Sequence, residues 1–266
     1  MIHNALRLLA AAIVLVFAVL LSSGIEASQG SILPVLVYHH IQKNVQSEVS
    51  CTPEQFEAQI VALKNAGFTP LTLAQAKLFL AGALTGIVKP LLITFDDGYE
   101  SLFRFALPVA VKYKVPMTVF VVTARIGRKP QFARYLSEVQ IKEMVDSVFF
   151  DFGSHTHDLH IESTRIYEAF GSGDDNPMLE LLNRDLRMSS ARLESIIGRR
   201  PDAMAWPYGK YNHEFTGIAR RNGFKIHFTS AAGYNEPGAN PFAVKRIPVT
   251  SRDNAVTVIG KASGWR

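Results

Sequence analysis

Apolar residues in this chain gather in short runs separated by longer stretches in which they recur every three to four positions. The runs at residues 32–37, 91–95, 117–122, 148–152, 203–206, 225–229 and 244–249 predict buried strands. The stretches between them predict helices. Thr52, Pro53 and Gln55 form a helix start, with Thr52 as N-cap, Pro53 at the first helical position and Gln55 completing a capping box. Phe56, Ile60 and Leu63 then follow at helical spacing, and Gly67 ends the element. Further helices are expected at 72–80, 101–113, 137–145, 179–197 and 212–222, with a polar loop at 171–176. No element is read after residue 249. Strands alternating with helices, each strand a continuous apolar run, indicate an α/β fold with a parallel sheet covered on its outside. About seven such units favour a closed or nearly closed barrel over an open sheet. With no repeat, low-complexity tract or linker in view, residues 32–266 form one domain.

The first residues break this rhythm. An Arg near the start is followed by an uninterrupted apolar run from Leu8 to Leu21, then by Ser22, Ser23 and Gly24. Residues 1–27 therefore read as a signal peptide or an uncleaved N-terminal membrane anchor, since a full membrane span needs about 20 apolar residues. Either way the protein is expected to be exported, to the periplasm, the extracellular space or the outer face of a membrane. Composition adds three constraints. Hydrophobic residues at 48% against 19% charged describe a globular chain rather than a disordered one. The single cysteine, Cys51, excludes an intramolecular disulfide framework and any multi-cysteine zinc site. The net charge of +5 suits anionic surroundings, but no basic stripe interleaved with aromatics is present, so nucleic acid is not expected as a partner.

In such folds chemistry sits just past the C-terminal ends of the strands. Those positions hold Tyr38-His39-His40, Asp96-Asp97-Gly98, the segment from His155 to His160, and Trp206-Pro207-Tyr208-Gly209. Two adjacent carboxylates after an apolar strand repel each other unless a positive group sits between them, although Asp-Asp-Gly alone is equally an ordinary turn. The histidines tip the balance toward a metal, because imidazole and carboxylate together suit a divalent ion with an open position for water. His155 and His160 converge only if a turn carries them, and His157 is a rival ligand, since it shares a strand face with His155.

TFDDGY (residues 94–99), GSHTHDLH (153–160) and WPYG (206–209), in that order, resemble the first three motifs of the polysaccharide deacetylases, the NodB-homology enzymes of carbohydrate esterase family four. The resemblance spans nearly all of the chain after the N-terminal segment. It implies a distorted (β/α)7-type barrel and metal-dependent removal of acetyl groups from a polymer. It further implies Asp96 as the general base that activates the attacking water, and Asp97, His155 and His160 as ligands of one divalent metal ion, zinc by default with nickel, cobalt or iron as alternatives. The five-residue histidine spacing and the early VLVYHHI segment are similar to the branch that acts on poly-β-1,6-N-acetylglucosamine. In that branch the position of His39 lies beside the active site.

Two departures stand out. The family's arginine two positions before the motif proline is replaced here by Ala205, and the tail after Arg246 contains no histidine to serve as a late general acid. His39 is therefore the candidate acid, with His40 and His227 behind it. The backbone N–H of Tyr208 is the candidate oxyanion donor. Trp206, Pro207 and Tyr208 are candidate substrate contacts, although an aromatic beside a barrel strand is as often core. The expected partner is an N-acetylated polysaccharide, with membrane association possible only through the N-terminal segment. A peptidoglycan N-acetylglucosamine deacetylase, an acetylxylan esterase, or a catalytically weak glycan-binding relative would carry the same motifs.

Overall fold

The computed structural model of the protein describes residues 32–130, 133–160 and 177–264. The N-terminal segment and the loop expected at 171–176 lie outside the described residues. Helix starts follow the capping chemistry. In α1 (Pro53–Asn65), α2 (Leu73–Leu80) and α4 (Glu138–Asp146), the hydroxyls of Thr52, Thr72 and Ser137 each accept from the backbone N–H three residues on. Gln55, Gln75 and Gln140 reach back to the cap N–H, so two otherwise unpaired donors are satisfied at each start. The helix expected at 101–113 is divided into a π-helical turn, Leu102–Ala106, and α3 (Leu107–Tyr113). Pro108 accounts for the break, because it has no N–H to continue the ladder. The remaining helices are α5 (Pro177–Ile197), α6 (His213–Arg221) and α7 (Ala255–Ser263). The sequence reading missed α7, which is capped by Asn254 and packs against α1.

The strands of the main sheet are β1 (Val35–Tyr38), β5 (Pro90–Phe95), β6 (Met117–Val121), β7 (Phe150–Ser154), β8 (Ala203–Ala205), β9 (Ile226–Phe228) and β10 (Ile247–Pro248). They run parallel in the order β10-β1-β5-β6-β7-β8-β9. The short β4 (Thr69–Pro70) pairs with the start of β5, while β2 (His40–Ile41) and β3 (Ser50–Cys51) make a separate two-stranded ladder. The sheet curls into an incomplete barrel. Among the described residues β9 and β10 do not pair directly, and the seam between them is bridged by the contact of Phe228 with Val244. The strand expected over 244–249 is correspondingly short, because residues 244–246 turn toward β9 instead of pairing with β1: Thr229 N–H donates to Val244 and Arg246 N–H to Ala231.

Alternation along β5 sets the inside and the outside. Leu91, Ile93 and Phe95 join the outer core under the helices, whereas Leu92 belongs to an inner cluster with Val35, Phe120, Ala203, Ala205 and Phe228. The same two-residue period carries Asp96, just past the strand end, to the interior. At the opposite end α2 closes the inner cluster with Leu73, Ala76, Phe79 and Leu80. Burying this apolar interior fixes the strands. Their C-terminal ends are left to carry polar groups.

Candidate active site

The six residues of β5 are all buried, and the chain then turns sharply: Asp97 adopts φ 71 and Gly98 φ 77. A non-glycine residue held in the left-handed region costs about 1–3 kcal/mol, and such strain gathers at functional sites. The turn brings both carboxylates into the barrel mouth, where each is buried.

β7 delivers the histidines. Gly153 has to be glycine, since a Cβ there would lie 2.7 Å from the Ala203 carbonyl and from the Phe120 ring. That close approach seats His155 against β8, with its Nδ1 2.8 Å from the carbonyl oxygen of Ala205. The carbonyl accepts, so Nδ1 carries a proton, and Nε2 faces the carboxylates, 3.8 Å from Asp97 and 4.0 Å from Asp96. Thr156 is again left-handed, φ 70. The next two amides, of His157 and Asp158, donate to the two carboxylate oxygens of Asp185 on α5, each at 2.7 Å. This clamp bends the loop so that His160 returns to the mouth, with Nε2 3.1 Å from Asp97 Oδ1. Arg125 fixes His160 through its carbonyl at 3.0 Å. Burial, helped by neighbouring His155, pushes the His160 pKa down to about 4, which keeps the ring neutral at physiological pH.

Asp97, His155 and His160 thus offer three ligand atoms within 4.8 Å of one another. Asp97 Oδ1 is buried without a hydrogen-bond partner, an arrangement that is costly unless a cation sits against it. A carboxylate and two imidazoles whose ring nitrogens converge with it fit a divalent ion. His157, the rival ligand, is excluded: its ring Nδ1 turns away to Thr123 Oγ1 at 2.9 Å.

Asp96 has a different partner. Arg246, just before β10, places Nη1 and Nη2 each 2.7 Å from one of its carboxylate oxygens, while Arg246 Nε donates to Thr229. Burial alone would raise the Asp96 pKa, but Arg246 and then His155 outweigh it and hold the carboxyl far below the usual range. While the position of the family's motif arginine holds Ala205, a guanidinium therefore reaches Asp96 from Arg246. Sequence reasoning did not find it, and the only local signal was a lone arginine entering an apolar run.

The other named residues separate clearly. His39 lines the cleft, and burial lowers its pKa against the opposing pull of Asp96 and Asp97. His40 packs on Tyr99 at 4.5 Å and lines a neighbouring groove rather than the cleft. His227 points to the outer face, edge-on to Trp206 and against Phe242, so it is no proton donor for this site. Trp206 is 1% exposed, packed with Phe215 and Met204 in a core cluster, which leaves no indole face for a sugar. Pro207 is buried beneath the turn as well. Tyr208, at φ 55 and 46% exposed, lines the cleft together with Tyr99 and Tyr135, its ring 4.8 Å from that of His160. Gly209 allows this turn to press on β9's end: a Cβ there would lie 1.9 Å from Ser230 Oγ. The site opens into a cleft of about 1190 Å³, with Arg125, Arg128 and Lys129 along one wall.

Comparison with known proteins gives concordant results. The family model described as polysaccharide deacetylase matches residues 85–227, more than half of the 266. A poly-beta-1,6-N-acetyl-D-glucosamine N-deacetylase of Staphylococcus epidermidis is 30% identical over 223 residues, covering 81% of this chain and 73% of its own. The structure of IcaB from Ammonifex degensii has a TM-score of 0.77 at 32% identity, over 89% of this chain and 97% of that one. The Streptococcus pyogenes deacetylase PplD, solved in complex with acetate, shares the fold with a TM-score of 0.74 at 22% identity, over 88% and 99%.

Proposed function

The chain belongs to the polysaccharide deacetylase family, and from that premise we propose that it is a metal-dependent hydrolase removing N-acetyl groups from an exported polysaccharide, with poly-β-1,6-N-acetylglucosamine as the polymer. The observation that carries this reading is the convergence of Asp97, His155 and His160 beside the buried Asp96 carboxylate at the barrel mouth. The staphylococcal relative named for that polymer supports the choice of substrate. The apolar segment at 8–21 supports an exported enzyme, on the outer side of a membrane or beyond it.

Asp97, His155 and His160 would hold the ion, zinc by default, with nickel, cobalt or iron as other fits. When bound, it supplies Lewis acidity, lowering the pKa of a water and polarising the acetyl carbonyl. The chain's own residues do the rest. Asp96 is ionised at neutral pH and takes the proton of the attacking water as its oxygen bonds to the carbonyl carbon. A carboxylate held so low keeps that proton only briefly. His39, half-buried in the cleft near the carboxylates, would take that proton from Asp96 and pass it to the departing nitrogen as the carbon–nitrogen bond breaks. The products are acetate and an amine. Tyr208 sits in the left-handed turn lining the cleft, and its backbone N–H is the donor assigned to the oxyanion. Its exposed ring, rather than Trp206, contacts the sugar.

The test is a pair of substitutions. Asp97→Asn is expected to abolish metal binding, while Asp96→Asn retains metal and loses turnover. A near-normal rate in Asp96→Asn would overturn the base assignment.

A further inference from the structure

Beside the catalytic cleft lies a second groove of about 580 Å³, and the two share Lys129 and Pro130 as a common wall. The groove is built from residues following β2, the π-helical turn and the loop after β6, on the same end of the barrel as the site. Its charged lining is Lys43, Arg104, Lys129 and Arg134 against Glu100 alone. Glu100 is already engaged by Arg104 at 3.3 Å. Among the described residues, no carboxylate lies within ion-pair distance of Lys43, Lys129 or Arg134, and all three are exposed. Arg128, on the cleft side of the shared wall, is exposed and unpaired in the same sense.

A solvated surface lysine is unremarkable by itself. Here four cations line a concavity, face one already-engaged carboxylate, and continue directly from the place where a polymer must lie. A chain held at the metal centre and running past Lys129 enters a field of one sign, which the low-dielectric walls concentrate. A neutral strand gains nothing from this field, and an amine-bearing strand is repelled.

We infer that this groove is a subsite for anionic substituents on the polysaccharide, carboxylate or phosphate groups carried by sugars next to the residue being deacetylated. The inference rests on the proposed deacetylase reading and adds to it that the polymer taken carries anionic substituents beside its N-acetylated sugars.

The experiment measures binding of three N-acetylglucosamine hexamers to the metal-loaded protein: one neutral, one carboxymethylated and one phosphorylated. Two arms accompany it, namely acetate release from the neutral hexamer and binding to vesicles of anionic phospholipid. The charged hexamers are expected to bind about tenfold more tightly than the neutral one, the sum of two or three screened ion pairs. The two charged probes tell carboxylate from phosphate. The preference should vanish in about 1 M salt, where the screening length is about 3 Å, and in the Lys43→Gln/Arg134→Gln double variant. Equal binding of charged and neutral hexamers at low salt overturns the inference, as does a preference that survives in the double variant. Vesicle binding without any preference among hexamers overturns it in favour of a lipid surface. Charge-selective binding with no acetate released overturns the deacetylase reading and leaves the groove standing. Acetate release with no charge preference does the reverse.

Discussion

Arg246, just before β10, grips both carboxylate oxygens of Asp96 at the end of β5, at 2.7 Å each, with β1 lying between their two strands. The pair is almost wholly buried, so the guanidinium compensates the buried charge of Asp96. A forked guanidinium satisfies two oxygens at once, and a lysine ammonium does not. Arg246→Met should leave an uncompensated buried carboxylate, lowering stability by about 3–5 kcal/mol. Arg246→Lys should fold yet lose at least about tenfold in kcat/KM through a misdirected Asp96. Thermal unfolding and acetate-release kinetics on the two variants check this. A lysine variant of normal rate would show that the fork is dispensable.

Asp185 holds the loop between the two histidines by accepting from the His157 and Asp158 amides. Asp185→Ala strips both acceptors, freeing His160 to leave the mouth while His155 stays on Ala205. Metal affinity should fall about 10–100-fold, as for other groups that support a ligand from behind. Calorimetric titration of zinc into the metal-free variant reads this. An unchanged affinity would show that the loop keeps its shape without the clamp.

His227 has no part in the chemistry but should govern acid stability. Burial depresses its pKa to about 4, below the 6.5 of the unfolded chain. Its Nε2 lies 3.3 Å from the Phe224 carbonyl, and its Nδ1 is buried with no partner, so the second proton has nowhere to bond. The unfolded state then binds more protons between about pH 6.5 and 4, and stability falls as pH drops through that window. The loss from this one group is on the order of 3 kcal/mol. His227→Gln should flatten the drop in melting temperature between pH 7 and pH 4.5. An identical drop in the variant would refute this account.

Much of the site could be read from the chain because its residues sit in continuous segments past strand ends. Asp96-Asp97 follows one buried strand, and the His155–His160 segment follows another. The capping boxes at Thr52, Thr72 and Ser137 are equally local, and their helices begin where the sequence places them. The illegible parts are those made by distant partners. Arg246 is 150 positions from Asp96, and Asp185 meets the histidine loop from a helix 27 and 28 positions on. Nothing local distinguishes either from a surface charge. The choice between His157 and His160 as the imidazole that joins His155 was undecidable for a related reason: strand alternation puts His157 on the face of His155, and Thr123 takes its Nδ1 through a contact that spacing does not reveal. Trp206 has an aromatic's usual ambiguity, resolved by the closing of Phe215 and Tyr211 around it.

The most direct test of the central claim is acetate release from β-1,6-linked N-acetylglucosamine oligomers by the protein stripped of metal, before and after adding back a divalent ion. No release from the stripped protein, recovery on adding zinc or a related ion, and no recovery in Asp97→Asn are the results expected. Acetate release that persists under chelation, or that Asp97→Asn retains, would contradict a hydrolase built on Asp97, His155 and His160.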